Sequence, residues 1–249
     1  LVRYTSGASH GLLDELSSEI ADHIEVRPGD LRDPETVREV VCGADLVFHL
    51  AALIAIPYSY VHPREVIETN IMGTYNVLAA VREYGVPRMV HTSTSEVYGT
   101  ARQVPIPETH PLQGQSPYSA SKIGADKVAE SFHLAFGTPV ATIRPFNTYG
   151  PRQSSRAVIP TIITQALSGA DEIRLGSLHP TRDLTFVADT VSGFLAVAAT
   201  DACVGRVTNV GTGTEVSIGE LAQRILALTG HPGTPIVTDE ARVRPAASE

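Results

Sequence analysis

Tyr118 and Lys122 stand four residues apart in Tyr118-Ser119-Ala120-Ser121-Lys122. On a helix that spacing puts both side chains on one face. An ammonium beside a phenol favours the phenolate, so such a tyrosine can act as a base near neutral pH. Chance supplies the same spacing on exposed helix faces, so context has to select it. Here it follows a turn, Gln115-Ser116-Pro117, and lies downstream of His91-Thr92-Ser93-Thr94-Ser95-Glu96-Val97-Tyr98-Gly99. Four hydroxyl residues followed by a carboxylate at a strand end are odd for structure alone.

The elements that must hold these residues alternate along the chain. Segments 24–26, 45–50, 88–92 and 140–143 are apolar and β-branched, which predicts short buried strands. Between them lie helical patterns. One runs from Pro34 to Val41 behind the N-cap candidate Asp33. A second, Thr69 to Tyr84, stops at Gly85, and a third, Ser119 to Phe136, stops at Gly137. Strands alternating with helices predict an α/β fold with a doubly wound parallel sheet, and ligands at the carboxyl ends of its strands. After Pro151 the pattern is mostly helical: 157–168, 189–199, and a helix opened by Ser217 and Glu220 as a capping box, with a strand at 206–210. The expected division is a dinucleotide-binding domain over 1–150 and a smaller substrate-binding region over 151–249, of which 183–213 returns to the main sheet.

Composition narrows the classes of partner. The 249 residues carry a net charge of −8, so no general basic surface attracts nucleic acid or anionic membrane. The most apolar run, 46–56, is interrupted by His49 and too short to span a bilayer. Cys42 and Cys203 read as free thiols in a reducing cytoplasm. His10, His62, His133 and His231 show no metal-ligand spacing, and His49 and His91 read as packed strand residues.

A glycine-rich dinucleotide turn of the G-x-G-x-x-G type is absent from the sequence. Leu1-Val2-Arg3-Tyr4 looks like the end of a second strand, and the expectation is that about 30 residues, one strand-turn-helix-strand unit, precede it. A C-terminal piece is expected beyond Glu249 as well.

With these segments in view, the chain resembles the extended short-chain dehydrogenase/reductases that modify nucleotide sugars, the NAD-dependent epimerase/dehydratase family. The resemblance runs nearly end to end, through Gly29-Asp30-Leu31-Arg32-Asp33, His49-Leu50-Ala51-Ala52 and Thr69-Asn70-Ile71-Met72-Gly73-Thr74. It continues through the Thr94 and Tyr118 motifs, Arg144-Pro145-Phe146-Asn147-Thr148-Tyr149-Gly150-Pro151-Arg152 and Arg182-Asp183-Leu184-Thr185-Phe186-Val187-Ala188-Asp189. It implies a Rossmann-like sheet. Thr94-Ser95-Glu96 is similar to the Thr-Ser-Glu of GDP-mannose 4,6-dehydratases, where dTDP-glucose enzymes carry Thr-Asp-Glu. The wording of 49–59 and 111–117 is similar to dehydratases of nucleotide-linked N-acetylglucosamine in legionaminic-acid-type pathways.

The resemblance implies a 4,6-dehydratase. Tyr118, assisted by Lys122 and Thr94, takes the C4 hydroxyl proton as C4 is oxidised. Glu96 takes the C5 proton, water leaves from C6, and hydride returns to C6. Ser95 stands where an aspartic acid protonates the leaving group, so protonated Glu96 becomes the candidate acid. Asp30 and Leu31 are expected at the adenine, and Leu50, Ala51 and Ala52 along the cofactor, although small residues there also allow close helix–sheet packing. Asn70 lies beside the cofactor, its side chain reading more as a helix-bending group than as catalytic. Asn147, Arg152, Arg182 and Arg244 are expected at the substrate diphosphate, where a guanidinium fork matches phosphate. Arg3 leans the cofactor choice between NAD and NADP toward NADP. A homodimer through a four-helix bundle of the 69–84 and 119–136 helices is implied. UDP-glucuronate decarboxylases share Thr-Ser-Glu and 4-epimerases share the scaffold, so both remain alternatives, as does a non-catalytic cofactor sensor.

Overall fold

The computed structural model describes residues 1–3, 9–243 and 245. They form two compact units: 1–99, 108–144 and 194–208 in the first, 100–107, 145–193 and 209–249 in the second.

In the first unit, helices α1 (Ser18–Ala21), α2 (Pro34–Val41), α3 (Ile56–Val61), α4 (Pro63–Ile67), α5 (Gly73–Glu83) and α6 (Pro117–Phe136) accompany strands β1 (Val47–His49), β2 (Met89–Thr92) and β3 (Val140–Pro145). The sheet runs β1-β2-β3 and continues to β8 (Val207–Val210). β1, β2 and β3 pair in parallel, with Val47 opposite Met89 and Met89 opposite Val140. Right-handed crossovers through helices are the usual way to join such strands. The fold is α/β with a parallel Rossmann-like sheet, as the alternation of segments predicts.

Local signals explain where elements begin and end. Asp33 caps α2 by accepting from the Glu35 amide, with Pro34 at the first helical position. α6 starts at Pro117, two residues before the expected Ser119, because Ser116 and Ser119 exchange side-chain and backbone hydrogen bonds as a capping box. Gly137 ends it at φ 68°, the left-handed conformation that glycine adopts without strain. The buried face of α6 repeats at Tyr118, Lys122, Ala125, Ala129 and Phe132, which is the helical period. Its lower half joins Val77, Leu78 and Val81 of α5, Val37 and Val41 of α2, and Met89 and Val140 of the sheet in one core.

Two expectations need correcting. Segment 24–26 is not a strand: among the described residues, the extended chain that follows it meets Val2 at one bridge, opposite Pro28, a residue with no N–H to continue a ladder. The helix expected over 69–84 is interrupted, because residues Glu68–Met72 form a π-helical turn before α5 begins.

In the second unit, β4 (Asn147–Tyr149) pairs with β7 (Leu184–Phe186), β5 (Ile173–Leu175) with β10 (Ile236–Thr238), and β6 (Thr181–Arg182) with β9 (Val216–Ser217). α7 (Val158–Leu167) and α9 (Ile218–Leu228) pack Ile162, Ala166, Leu221, Ile225 and Leu226 against Ile173 and Leu175. The capping box expected at Ser217 and Glu220 is present. α8 (Val187–Ala199) follows β7. Among the described residues, no helix is long and apolar enough to cross a membrane.

Candidate active site

Three side chains descend one face of α6 at successive turns: Tyr118, Lys122 and Asp126, exposed by 7, 4 and 5%. A helix of 3.6 residues per turn makes residues at i, i+4 and i+8 near neighbours. The end of β2 meets this face. The Lys122 ammonium donates to the Thr92 carbonyl oxygen at 2.5 Å, which fixes the lysine at the carboxyl end of the strand. Directly beyond, Thr94 caps the 3₁₀ turn of residues Ser95–Tyr98 by accepting from the Glu96 amide at 3.2 Å. That leaves the threonine proton for Tyr118, with which its hydroxyl forms a hydrogen bond. Ser95 and Glu96 are half-buried on the same turn. Thr94, Glu96, Tyr118 and Lys122 are thereby brought together.

The electrostatics depart from the simple lysine-beside-tyrosine expectation. Burial pushes the Tyr118 phenol up to about 12. The Thr94 hydrogen bond pulls it down, and the negative charges of Glu96 and Asp126 push it further up. Burial pushes Lys122 down to about 8, opposed by Asp126. In this arrangement the lysine is directed to the Thr92 carbonyl and the phenol is a weaker acid than free tyrosine. Desolvation outweighs the favourable neighbours.

Asp126 anchors a buried network that the sequence reading missed. Its carboxylate accepts from His91 Nε2 at 3.1 Å and Ser93 Oγ at 2.8 Å. It also accepts from Arg144 Nε at 3.2 Å and Nη2 at 2.9 Å. Burial opposes its charge, but His91, Arg144 and Ser93 hold the carboxyl below the usual range. Arg144 also donates to the Tyr98 hydroxyl at 3.0 Å. His91 stacks on His49, which hydrogen-bonds Thr74 at 2.9 Å. Burial pushes both imidazoles down, so both are neutral. The available signal was the acid at i+8 from Tyr118 on the Tyr-Lys face, one helical turn beyond Lys122.

Asn70 lies in the π-helical turn and pins the segment after β1. Its Oδ1 accepts from the Leu53 amide at 2.8 Å, and its Nδ2 donates to the Leu53 carbonyl at 3.0 Å and Ser121 Oγ at 2.9 Å. A π turn is often found at functional sites, where the extra residue re-aims side chains. In this turn, Asn70 binds protein groups with its whole amide.

A separate cleft of the same unit is lined by Arg3, Asp30, Leu31, Ala51 and Ala52, together with Arg32 and Glu65. Leu50 is 61% exposed and is not among its lining residues. Asp30 accepts Arg32 Nε at 3.0 Å and Nη2 at 2.6 Å, and Arg32 holds its carboxyl down to about 2. Arg3 pairs with Glu65 at 3.4 Å. Tyr4, Thr5 and Ser6, read with Arg3, lie outside the described residues.

Of the residues expected at the diphosphate, Asn147 is on β4, where its amide donates to the Asp183 carbonyl at 3.1 Å. Arg182 is half-buried on β6, adjacent in sequence to Asp183, whose carboxylate accepts from the Thr212 and Gly213 amides. Asn147 and Arg182 are thus joined through one residue. Arg152 is exposed and adopts φ 68°, an uncommon conformation for a side chain other than glycine. Arg244 lies outside the described residues. Among the described residues, no group of three or more His, Cys, Asp or Glu side chains could hold a metal ion.

Comparison with known proteins shows the family. A dTDP-glucose 4,6-dehydratase from an Actinoplanes species is 35% identical over 213 residues, 85% of this chain and 66% of that enzyme. The chain therefore spans just under two thirds of that relative's length. A UDP-N-acetyl-alpha-D-glucosaminuronate decarboxylase from Bacillus cytotoxicus is 35% identical over 228 residues, 88% of this chain and 70% of the other. The solved dTDP-glucose 4,6-dehydratase DesIV of Streptomyces venezuelae, a double mutant with NAD bound, superposes with a TM-score of 0.81 at 31% identity, covering 88% of this chain and 67% of that one. The family model for GDP-mannose 4,6 dehydratases matches residues 1–248, and the chain belongs to that family, within the NAD-dependent epimerase/dehydratases.

Proposed function

We propose that this chain belongs to an NDP-sugar 4,6-dehydratase, which converts a nucleotide-linked hexose or N-acetylhexosamine to its 4-keto-6-deoxy form with NAD or NADP regenerated at each turnover. The observation that carries the reading is the pairing at Tyr118. One base, held by Thr94, stands beside a second, Glu96, whose charge the phenol feels. Moving a hydride at C4 alone would need only the first.

The residues present fit the adenosine half of the cofactor. Leu31, Ala51 and Ala52 supply apolar walls, and the ionised Asp30 supplies an acceptor for hydroxyl groups. A bound nicotinamide supplies reversible oxidation at C4 and reduction at C6. Tyr118, as phenolate, takes the C4 hydroxyl proton, and the Thr94 hydroxyl donates to the oxygen carrying the developing charge. The resulting ketone acidifies C5–H. Glu96 takes that proton and passes it to the departing C6 hydroxyl, which leaves as water. A proton restored at C5 balances the one removed from the C4 hydroxyl. Asn147, Arg152 and Arg182, with Arg244, would contact the diphosphate. A cytoplasmic homodimer paired through α5 and α6 completes the reading, supported by exposed Tyr75, Leu134 and Phe136 on those helices.

The test supplies the protein with cofactor and, in turn, UDP-GlcNAc, GDP-GlcNAc, GDP-mannose, dTDP-glucose and UDP-glucuronate, and follows product mass. Loss of water from one of them, abolished by Glu96→Gln, is the expected result. Loss of carbon dioxide from UDP-glucuronate would instead support the decarboxylase reading, which the 35% identity to the Bacillus cytotoxicus enzyme favours. Epimerisation that survives Glu96→Gln would leave a 4-epimerase.

A further inference from the structure

We propose that Asp126 is a positioning residue for the tyrosine–lysine pair, supplying inside the protein the counter-charge that keeps Lys122 an ammonium. The inference rests on the reading of Tyr118 and Lys122 as the catalytic pair, but the carboxylate itself touches neither substrate nor cofactor in that reading.

The geometry carries it. Asp126 lies one turn beyond Lys122 on the same buried face of α6, and hydrogen bonds from two neighbouring strands hold it in place. His91 of β2, Ser93 just beyond it, and Arg144 of β3 all donate to it. A neutral His91 donates through Nε2–H, so this contact adds a hydrogen bond without adding charge. His91 Nδ1 is buried with no partner, which agrees with the bare nitrogen of that tautomer.

The Lys122 charge acts on His49 from β1 and His91 from β2 and is opposed by Asp126, which pairs with Arg144 from β3. Tyr118 lies one turn earlier on α6, where Glu96 from the 3₁₀ turn acts on the phenol. With both imidazoles neutral and Glu96 half-buried, the deeply buried charges are Lys122, Arg144 and Asp126. They sum to +1 while Tyr118 is protonated and to zero once it is a phenolate. Removing Asp126 would raise the sum to +2 in a site with little water to screen it. The cheapest relief is loss of the Lys122 proton. The phenolate would then lose the cation one turn along α6.

This chain offers an unusually direct readout, because Lys122 and Lys127 are its two lysines. With isotope-labelled lysine and Lys127→Arg, one ε-amino signal remains, and its chemical shift against pH reports Lys122 whether or not any sugar nucleotide is turned over. The parent is expected to titrate near pH 8. Asp126→Asn should lower the proton affinity about tenfold or more, Arg144→Gln should raise it, and Ser93→Ala, which removes a hydrogen bond but no charge, should leave it in place. In turnover, Asp126→Asn should bring the alkaline limit of kcat to lower pH, and Asp126→Glu should restore it.

A purely structural Asp126 would leave the Lys122 midpoint unmoved in Asp126→Asn and Arg144→Gln, and that result overturns the proposal. A parent midpoint below pH 7 overturns it too, and does so even if Asp126→Asn does not fold. Failure to transform any sugar nucleotide, with the titrations as expected, would sink the dehydratase reading and leave the charge-balance role standing.

Discussion

The Thr94 hydroxyl stands between the Glu96 amide, from which it accepts, and the Tyr118 phenol, with which it shares a hydrogen bond that lowers the phenol's pKa. It is the favourable contact that offsets burial of the tyrosine. Thr94→Val keeps the shape but removes the donor, so Tyr118 should become a still weaker acid. The expected outcome is a kcat lower by about 10- to 100-fold, with the basic pKa of the kcat–pH profile displaced upward, whereas Thr94→Ser stays near the parent. A Thr94→Val profile that merely scales down without moving would show that the hydroxyl serves the substrate alone.

Glu96 acts on the same phenol in the opposite sense, because its charge raises the Tyr118 pKa. Glu96→Gln should therefore lower that pKa while abolishing loss of water. The tyrosinate absorbance of Tyr118, taken as the difference between the Glu96→Gln protein with and without Tyr118→Phe, should develop at lower pH than in the parent background. No displacement would mean that solvent screens Glu96 from the phenol.

Asn70 makes three hydrogen bonds from a buried amide, two of them to Leu53. Asn70→Ala would leave the Leu53 N–H and C=O without these partners, at a cost of about 1–3 kcal/mol for each buried group left unsatisfied. The denaturant midpoint should fall accordingly, and the Leu53 amide should lose protection from hydrogen exchange. Unchanged protection at Leu53 would mean that backbone or water takes over from the side chain.

These residues also show what sequence could and could not reveal. The parallel sheet was legible because its strands are short β-branched runs, and the ends of α2 and α6 because Asp33-Pro34 and Gly137 are local signals. The same locality hid the π turn at Asn70, which depends on contacts with Leu53 and Ser121 far along the chain. Segment 24–26 has strand composition but pairs with no strand among the described residues, and composition cannot report a partner. At the site, the Thr94, Glu96 and Tyr118 grouping was legible from motif and resemblance. The direction of the Tyr118 pKa was not, since burial is a property of the packed helix. Asp126 and Arg144 are ordinary letters until β3 brings the guanidinium to α6.

Arg3 and Glu65 bear on cofactor choice. Arg3 alone would favour a 2′-phosphate, but its ion pair with Glu65 places a carboxylate in the same cleft. The arginine is well exposed, so the pair is weak and solvent screens it. Glu65→Gln should release Arg3 and shift the ratio of NADP to NAD affinity upward by about two- to fivefold. Direct titration of each dinucleotide measures this, and an unchanged ratio would remove Arg3 from cofactor discrimination.

Lys122 also makes stability depend on pH, with a sign that can be checked. Its pKa falls from 10.5 to about 8 on burial, so between these values the unfolded chain binds a proton that the native protein does not. Stability therefore rises with pH across that window, and the ammonium costs the native state about 3 kcal/mol below it. Tyr118 works in reverse above pH 10, where the native phenol, pushed up to about 12, keeps a proton that the unfolded chain releases. The clean interval is pH 8 to 10. Over it the parent should gain stability relative to Lys122→Met, in which the burial remains and the titration does not. Equilibrium denaturation of both proteins at several pH values gives the difference. A flat difference would mean that Lys122 is protonated throughout, with Asp126 and the Thr92 carbonyl together cancelling the cost of its burial.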